Sequence, residues 1–274
     1  NGNQTGNGVN TFEYNPENQM TKVKDTNGND VASYEYSDNG FRSKKVVGNK
    51  TEYYYYVSGK LTHVTDGNNK LKYSFTDNAN GQLMTMTDHT GSAPVNYYYE
   101  LNYRGDVIGL RDATGNTVVT YKYDSFGNIL SSTGTATLAN GEALKTANPF
   151  RYASYYYDEE TKLYYVNSRY YDPETARFTT KDSVPSENAY NYADNDPINN
   201  IDMDGAWSWK KAWKGVKKVA KEVSGYNDIK RFVKKPTLTN ALWAATAIPM
   251  FKPLKVVKWA VKGVQAVRKA AKSA

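Results

Sequence analysis

Residues 148–205 read NPFRYASYYYDEETKLYYVNSRYYDPETARFTTKDSVPSENAYNYADNDPINNIDMDG. In this stretch, short runs of tyrosine alternate with the turn-forming residues Asp, Asn and Pro. Tyrosine suits pleated, half-buried surfaces, where its ring packs and its hydroxyl reaches a partner. The chain before the stretch is also rich in tyrosine, whereas only Tyr226 lies after it. We therefore expect residues 148–205 to close a β-structure and to mark its end.

The 147 residues before this stretch contain an internal repeat of aromatic-x-aromatic pairs, whose starts lie 19 to 24 residues apart. These pairs are Phe12/Tyr14, Tyr34/Tyr36, Tyr54/Tyr56, Tyr73/Phe75, Tyr97/Tyr99 and Tyr121/Tyr123. Turn sequences with Asp or Asn near Gly, such as DTNGND and DSFGN, separate the pairs and supply the positive φ of tight hairpin turns. Two short strands per repeat predict stacked β-hairpins, because one hairpin alone is marginally stable. The pattern lapses from Ser131 to Thr146, where we expect a loop or a ragged hairpin.

The charge of the chain changes sign at the end of the tyrosine-rich part. The net charge is +7, but residues 1–205 carry 18 basic and 26 acidic residues, and residues 206–274 carry 17 basic and 2 acidic ones. Such a reversal predicts a domain boundary.

The chain contains no cysteine, which excludes disulfides, thiolate zinc sites and a cysteine nucleophile. An opening at Asn1 in the middle of the pattern suggests part of a longer chain.

The basic segment 206–274 has a helical period. Trp209, Trp213, Val216 and Ala220 define one apolar face, lysines fill the rest, and a second amphipathic stretch follows Pro253. No apolar run reaches the roughly 18 residues of a membrane-spanning helix. Three interpretations stay open: a small helical domain with a basic exterior, a segment acting on anionic membranes, and, with less support, a nucleic-acid-binding segment. With two acidic residues and no histidine, this segment lacks the ligands of a metal-dependent nuclease.

Residues 10–205 resemble the Rhs/YD-repeat family of polymorphic toxins. The resemblance rests on YKYDSFGN at 121–128 and on two pieces of the terminal motif, RYASYYYDEETKLYYVNSRYYDPETARF and NAYNYADNDPINNIDMDG. It is strongest to the wall-associated YD-repeat proteins of Gram-positive bacteria. It implies a mainly β fold: residues 1–147 would form a β-hairpin spiral, a cocoon-type shell. Residues 148–205 would form the core-associated plug that closes the shell, and 206–274 a small basic helical pre-toxin or toxin segment.

The resemblance also implies a self-cleavage site in the plug. In related shells, a pair of DPxG elements cuts the chain just after the second element. By position, Asp182 in TKDSVP and Asp202 in NIDMDG would be the catalytic pair. Arg169 in SRYYDP would support them or fix the carboxylate geometry by a bidentate contact. Two carboxylates in a partly dry site can share a proton and act as base and acid on a water, as in aspartic proteases. Because both elements depart from the DPxG wording, a role in capping turns stays open for the two aspartates, and it is the expectation for Asp172, Asp194, Asp196 and Asp204.

The functional expectation is a secreted or wall-associated shell that encloses and delivers a toxic C-terminal region against competing bacteria, with a cut near Gly205–Trp207. Its partners would be the surface or membrane of the target cell and an immunity protein for the toxic region. No cofactor or metal is expected, and His63 and His89 are interpreted as surface or lumen-lining residues. Two alternatives remain. One is an adhesive surface protein that binds carbohydrate or cell wall. In the other, the cationic tail itself permeabilises membranes.

Overall fold

A computed structural model of the chain describes residues 2–182, 188–198, 200 and 202. The chain divides into two compact units, Asn1–Trp207 and Ser208–Ala274, and all described residues belong to the first. The expectations for the basic segment 206–274 lie outside the described residues. The division at residues 147 and 205 stays a prediction.

The first part of the chain is one antiparallel sheet of twelve strands, here called the wall. Its strands are β1 (Asn10–Tyr14), β2 (Met20–Asp25), β3 (Asp30–Tyr36), β4 (Arg42–Val47), β5 (Lys50–Val57), β6 (Lys60–Asp66), β7 (Leu71–Asp77), β8 (Leu83–Asp88), β9 (Val95–Leu101), β10 (Val107–Arg111), β11 (Thr117–Tyr123) and β12 (Ile129–Thr133). Each strand pairs with the next one along the chain, so the wall is an uninterrupted meander. The predicted hairpin repeat is confirmed.

The aromatic pairs of the repeat all fall on the odd-numbered wall strands. In each pair the first residue is buried, as with Phe12 at 4 % and Tyr121 at 2 % exposure. Residues i and i+2 of a strand share a face, so each pair places two rings on one side of the wall. The sequence period of 19 to 24 residues therefore corresponds to one hairpin of two strands. The odd-numbered strand of each hairpin carries the aromatic pair, whose rings lie on the buried side of the wall.

Six wall turns share one hydrogen-bond pattern. The side-chain oxygen of the first turn residue accepts hydrogen bonds from the backbone N–H groups two and four residues later. The first residues of these turns are Asp25, Asp66, Asn78, Asn102, Asp112 and Asp124. These bonds satisfy turn N–H groups that no strand pairs, which is the reason Asp and Asn recur there.

Residues 148–205 are called the plug, and their described part contains a second antiparallel sheet. Its strands are β13 (Tyr156–Asp158), β14 (Leu163–Val166), β15 (Arg169–Asp172) and β16 (Arg177–Phe178). A single helical turn, α1 (Leu144–Ala147), precedes the plug, and 3-10 turns lie at Tyr152–Ser154 and Ala193–Asn195. Every residue of β14 and β15 is buried, which shows that this sheet is covered on both faces.

The wall curves around the plug. Plug rings contact wall rings on well-separated strands: Tyr170 lies 5.3 Å from Tyr34 of β3, and Phe150 lies 4.9 Å from Phe75 of β7. Near the other end of the wall, the Tyr164 hydroxyl donates to the Gly127 carbonyl, 2.8 Å away in the β11–β12 turn. Twelve flat strands would extend about 50 Å, roughly three times the width of four strands. Contact from β3 to β12 therefore requires the wall to bend around the plug.

The segment Ser131–Thr146 is more ordered than its sequence indicates. Strand β12 extends to Thr133, and a bridge between Thr137 and Ala143 closes a small hairpin. Leu138 and Leu144 are buried in the wall core at 3 % and 0 % exposure. The expectation of a loop or ragged hairpin thus holds in outline, with two leucines anchoring it.

Within the described ranges, no helix has the length and apolarity needed to cross a membrane.

Candidate functional site

The structure brings the three predicted site residues together in the plug. Arg169 begins β15, Asp182 follows β16, and Asp202 lies near the end of the motif. The Arg169 Nη2 atom lies 3.0 Å from Asp182 Oδ2 and 3.5 Å from Asp202 Oδ2. The three side chains are 5 %, 9 % and 4 % exposed. Two aspartates twenty residues apart in sequence therefore meet on one buried guanidinium.

Neighbouring groups fix the position of Arg169. Its Nη1 donates to the Ala189 carbonyl at 3.1 Å, and its Cζ lies 3.7 Å from the ring centroid of Phe178. The same carbonyl accepts the Asp182 N–H at 2.8 Å, which ties the arginine and the first aspartate to one backbone group. The Nη2 atom of Arg169 thus lies within ion-pair distance of both carboxylates, and a bidentate contact with either one stays a prediction.

A tyrosine holds the backbone of Asp202. The Tyr155 hydroxyl donates a hydrogen bond to the Asp202 carbonyl and lies 3.1 Å from the Tyr192 hydroxyl. Burial raises the pKa of Tyr155 well above its usual range, so the hydroxyl remains a donor. Sequence reasoning missed this residue, since Tyr155 stands in a run of three tyrosines with nothing to distinguish it.

The site places two carboxylates against one guanidinium, whose positive charge attracts both of them. In general, a pair of carboxyl groups of which one is ionised and one protonated can accept a proton from water on one group and donate a proton from the other.

The remaining sequence candidates take structural roles where they are described. Asp172 Oδ1 accepts the N–H groups of Glu174 at 2.9 Å and Thr175 at 3.4 Å, as a turn-capping residue does. The Asp194 side chain and all of Asp204 lie outside the described residues, and Asp196 follows the 3-10 turn Ala193–Asn195.

Both histidines lie on the wall. The His63 ring stacks on Tyr55 with centroids 4.4 Å apart, and His89 Nε2 lies 2.9 Å from Ser74 Oγ. Within the described ranges, no three His, Asp or Glu side chains cluster as metal ligands would.

Sequence reasoning also missed a buried ion-pair network between wall and plug. Arg42, the first residue of β4, lies 2.5 Å from Asp158 of β13, and both side chains are fully buried. Lys45 Nζ lies 3.0 Å from the other oxygen of Asp158 and 3.2 Å from Glu160. The sequence signal for this network is a charged residue, Arg42, at a strand position whose side chain points into the core. The sequence does not indicate its partner, because Asp158 lies 116 residues further along the chain.

Tyrosine rings surround the Arg42 guanidinium. Its Cζ lies 4.6 to 6.0 Å from five ring centroids, those of Tyr34, Tyr54, Tyr156, Tyr165 and Tyr170. The faces of such rings are negative and attract a cation. Burial opposes the charge, yet Asp158 and the surrounding tyrosines outweigh it and raise the pKa of Arg42 well above its usual value. The wall and the plug therefore meet around a permanent positive charge.

Comparison with known proteins agrees with this architecture. The tRNA nuclease WapA of Bacillus subtilis strain 168 is 34 % identical over 99 % of the chain. The tRNA3(Ser)-specific nuclease WapA of Bacillus spizizenii is 35 % identical over 76 % of it. The chain spans 11 % and 9 % of the lengths of these two relatives.

Solved structures share the fold at low identity. The crystal structure of TcdB2-TccC3-TEV superposes on 74 % of this chain and 10 % of that one, with a TM-score of 0.58 and 19 % identity. A Photorhabdus luminescens Tc holotoxin pore with a mutant TccC3 covers the same shares with a TM-score of 0.57.

The family model of the teneurin YD-shell matches residues 1–201. With its meander wall, its tyrosine-rich plug and this match over most of its length, the chain belongs to the teneurin YD-shell family.

Proposed function

We propose that this chain is the closing end of a YD-repeat shell that contains and delivers a toxic C-terminal region in competition between bacteria. The observation that carries the proposal is the wall bent around a plug whose strands β14 and β15 are buried on both faces, which suits a closed container. The WapA relatives, which are named as nucleases acting on tRNA, support a toxin context. The whole protein would act as a secreted or wall-associated molecule. It would bind the surface or membrane of a target cell, and an immunity protein would protect the producing cell from the toxic C-terminal region.

A competition assay tests containment and delivery. A producer strain carries the full-length gene, and its rival lacks the neighbouring immunity gene. We expect the producer to outgrow this rival and to lose the advantage when residues 148–205 are deleted. Restoring the immunity gene to the rival should also remove the advantage. Equal killing without the plug would contradict containment, and glycan-dependent attachment without killing would favour the adhesive alternative.

A second candidate function is self-cleavage in the plug, and the buried meeting of Arg169, Asp182 and Asp202 favours it. One carboxylate would take a proton from water as the water oxygen bonds to the carbonyl carbon of a peptide near Gly205–Trp207. The C–N bond then breaks, and the second carboxyl gives its proton to the leaving amine. Arg169 would hold both carboxylates in place and balance one of their charges.

Intact-mass measurement of the freshly synthesised chain tests the cut. We expect wild-type protein to yield a fragment ending near Gly205–Trp207. Asp182→Asn and Asp202→Asn should remain intact, because each removes one of the two proton carriers. Asp172→Asn is the matched control, since its carboxylate caps a turn outside the site, and it should be cut normally. An uncut wild-type chain, or cutting in both site variants, would sink the proposal and leave the aspartates as turn residues.

The basic segment 206–274 keeps its three interpretations. The alignment with the Bacillus subtilis relative includes this segment, so tRNA is the nucleic acid to compare with anionic membranes as its ligand. Its charge of +15, from 17 basic and 2 acidic residues, suits either partner.

A further inference from the structure

The segment that leads into Tyr155 has a strained backbone. Ala153 and Ser154 have φ of 51° and 57°, in the left-handed region that residues other than glycine rarely adopt. Consecutive residues of this kind persist only where surrounding contacts fix them, and such strain clusters at functional sites. Tyr155, the next residue, donates its hydroxyl to the Asp202 carbonyl.

One wall turn supplies three of the contacts that hold this segment. The β9–β10 turn, residues 102–106, accepts the Ala153 N–H on Asp106 Oδ1 at 2.8 Å and the Ser154 hydroxyl on the Gly105 carbonyl at 2.7 Å. Arg104 Nη2 also donates to the Tyr152 hydroxyl at 3.0 Å. We call these three bonds the wall clamp. They join a wall turn to the three residues that precede Tyr155.

The wall clamp and the candidate site are linked through buried rings. Tyr155 packs on Tyr152 and Tyr192 with centroids 6.3 and 6.2 Å apart, and Tyr192 packs on Tyr152 at 6.1 Å. A displacement of residues 152–154 would therefore move the Tyr155 hydroxyl and, with it, the backbone of Asp202. Proton transfer between carboxylates and a substrate is sensitive to misplacement by about 1 Å.

We propose that Tyr155 is a positioning residue that holds Asp202 opposite Asp182, and that the wall clamp makes this placement depend on a wall folded against the plug. The inference rests on the proposed self-cleavage and names its regulation: the chain is cut only after the shell has closed. A chain with an unfolded or incomplete wall would keep its C-terminal region attached.

Time-resolved cleavage in the full chain tests the positioning role. Cell-free synthesis is stopped at intervals, and the cut fraction is measured by intact mass. Tyr155→Phe keeps the ring but loses the hydroxyl, and we expect cutting to slow on the order of 10- to 100-fold. Asp106 lies in a wall turn and accepts the Ala153 N–H, so Asp106→Ala removes one bond of the wall clamp and should also slow the cut.

Two controls separate positioning from general loss of stability. Tyr164→Phe removes an equally buried hydroxyl that donates to the Gly127 carbonyl. Asp112→Ala removes a turn carboxylate from the neighbouring β10–β11 turn, where it accepts the N–H groups of Thr114 and Asn116 and makes no contact with the plug in the bonds described. Both should lower the urea midpoint about as much as their test partners and still be cut at the wild-type rate. If the controls and the test variants slow equally, the effect is structural and the inference fails.

Hydrogen exchange of residues 188–202 gives a readout that does not need the cut. Tyr155→Phe and Asp106→Ala should raise exchange there several-fold, whereas Tyr164→Phe and Asp112→Ala should not. An uncut wild-type chain would refute self-cleavage, and the positioning role would then be judged on exchange alone. Wild-type exchange and wild-type cutting in Tyr155→Phe would overturn the inference.

Discussion

Two glycines hold the same place in successive wall turns but have different surroundings. Gly115 has φ of 88°, and apart from Gly115 itself and its two chain neighbours no described atom lies within 4 Å of the position where a Cβ would stand. Gly127 has φ of 92°, and a Cβ there would lie 2.6 Å from the Tyr152 ring. The turn sequences DATGN and DSFGN predict a positive φ for both. The close approach of Tyr152 to Gly127 is a tertiary contact between wall and plug.

Alanine at these glycines should separate the two effects. Gly115→Ala should lower the free energy of unfolding by about 1 to 2 kcal/mol, the cost of a left-handed residue with a Cβ. Gly127→Ala should lower it by about 2 to 4 kcal/mol, because the clash with Tyr152 adds to that cost. Urea denaturation of the two variants measures both values. Equal losses would show that Tyr152 moves aside without cost.

At the scale of elements, the first residue of β4 joins the wall to β13 of the plug. Arg42 and Asp158 are fully buried and 2.5 Å apart, and Lys45 contacts the other Asp158 oxygen. A buried pair adds little net stability over an apolar pair, but removing one partner leaves a buried charge uncompensated. The network therefore favours one arrangement of the two sheets.

Asp158→Asn should lower the free energy of unfolding by about 3 to 5 kcal/mol, because two cations lose their shared anion. The control is Asp30→Asn, which breaks the exposed pair of Asp30 with Lys22, and this change should cost less than about 1 kcal/mol. Urea titration measures both. Small losses in both variants would mean that the buried site relaxes or admits water.

On the scale of the whole molecule, the interface between wall and plug is rich in charge. Glu52 of the wall belongs to it, beside Lys45 and with Lys72 Nζ 2.6 Å away. Burial alone would raise the pKa of Glu52, but the two lysines outweigh it and lower the pKa to about 2. Glu160 of the plug is the opposite case, because burial and the neighbouring Asp158 raise its pKa. The two groups thus respond to acid with opposite signs.

The stabilising effect of Glu52 should disappear in acid. Its pKa is lower in the folded chain than the ordinary value of about 4.3, so its contribution is present above that pH and is lost as the pH falls through about 2. Glu52→Gln should cost about 3 kcal/mol near pH 7 and almost nothing near pH 2. Denaturant titrations of both proteins between pH 2 and 7 give the difference. A difference independent of pH would mean that Glu52 acts through packing instead of charge.

The amino-acid sequence by itself determined the local structure and the family of this chain. Aromatic pairs every 19 to 24 residues and Asp or Asn at the turns specify hairpins, because strand alternation and turn capping depend on neighbouring residues only. The terminal motif pointed to the family, and the resemblance implied Arg169, Asp182 and Asp202 as site residues by their positions in that motif. Their role in cutting stays a prediction.

Only the tertiary structure decided which residues meet between the wall and the plug. The partners of Arg42, Gly127 and Tyr155 lie 116, 25 and 47 residues away along the chain. No local sequence pattern encodes which residues meet across such separations, because the contacts depend on how the twelve-stranded wall bends around the plug. A run of tyrosines predicts buried rings, but only the folded chain places the Tyr155 hydroxyl against the Asp202 carbonyl.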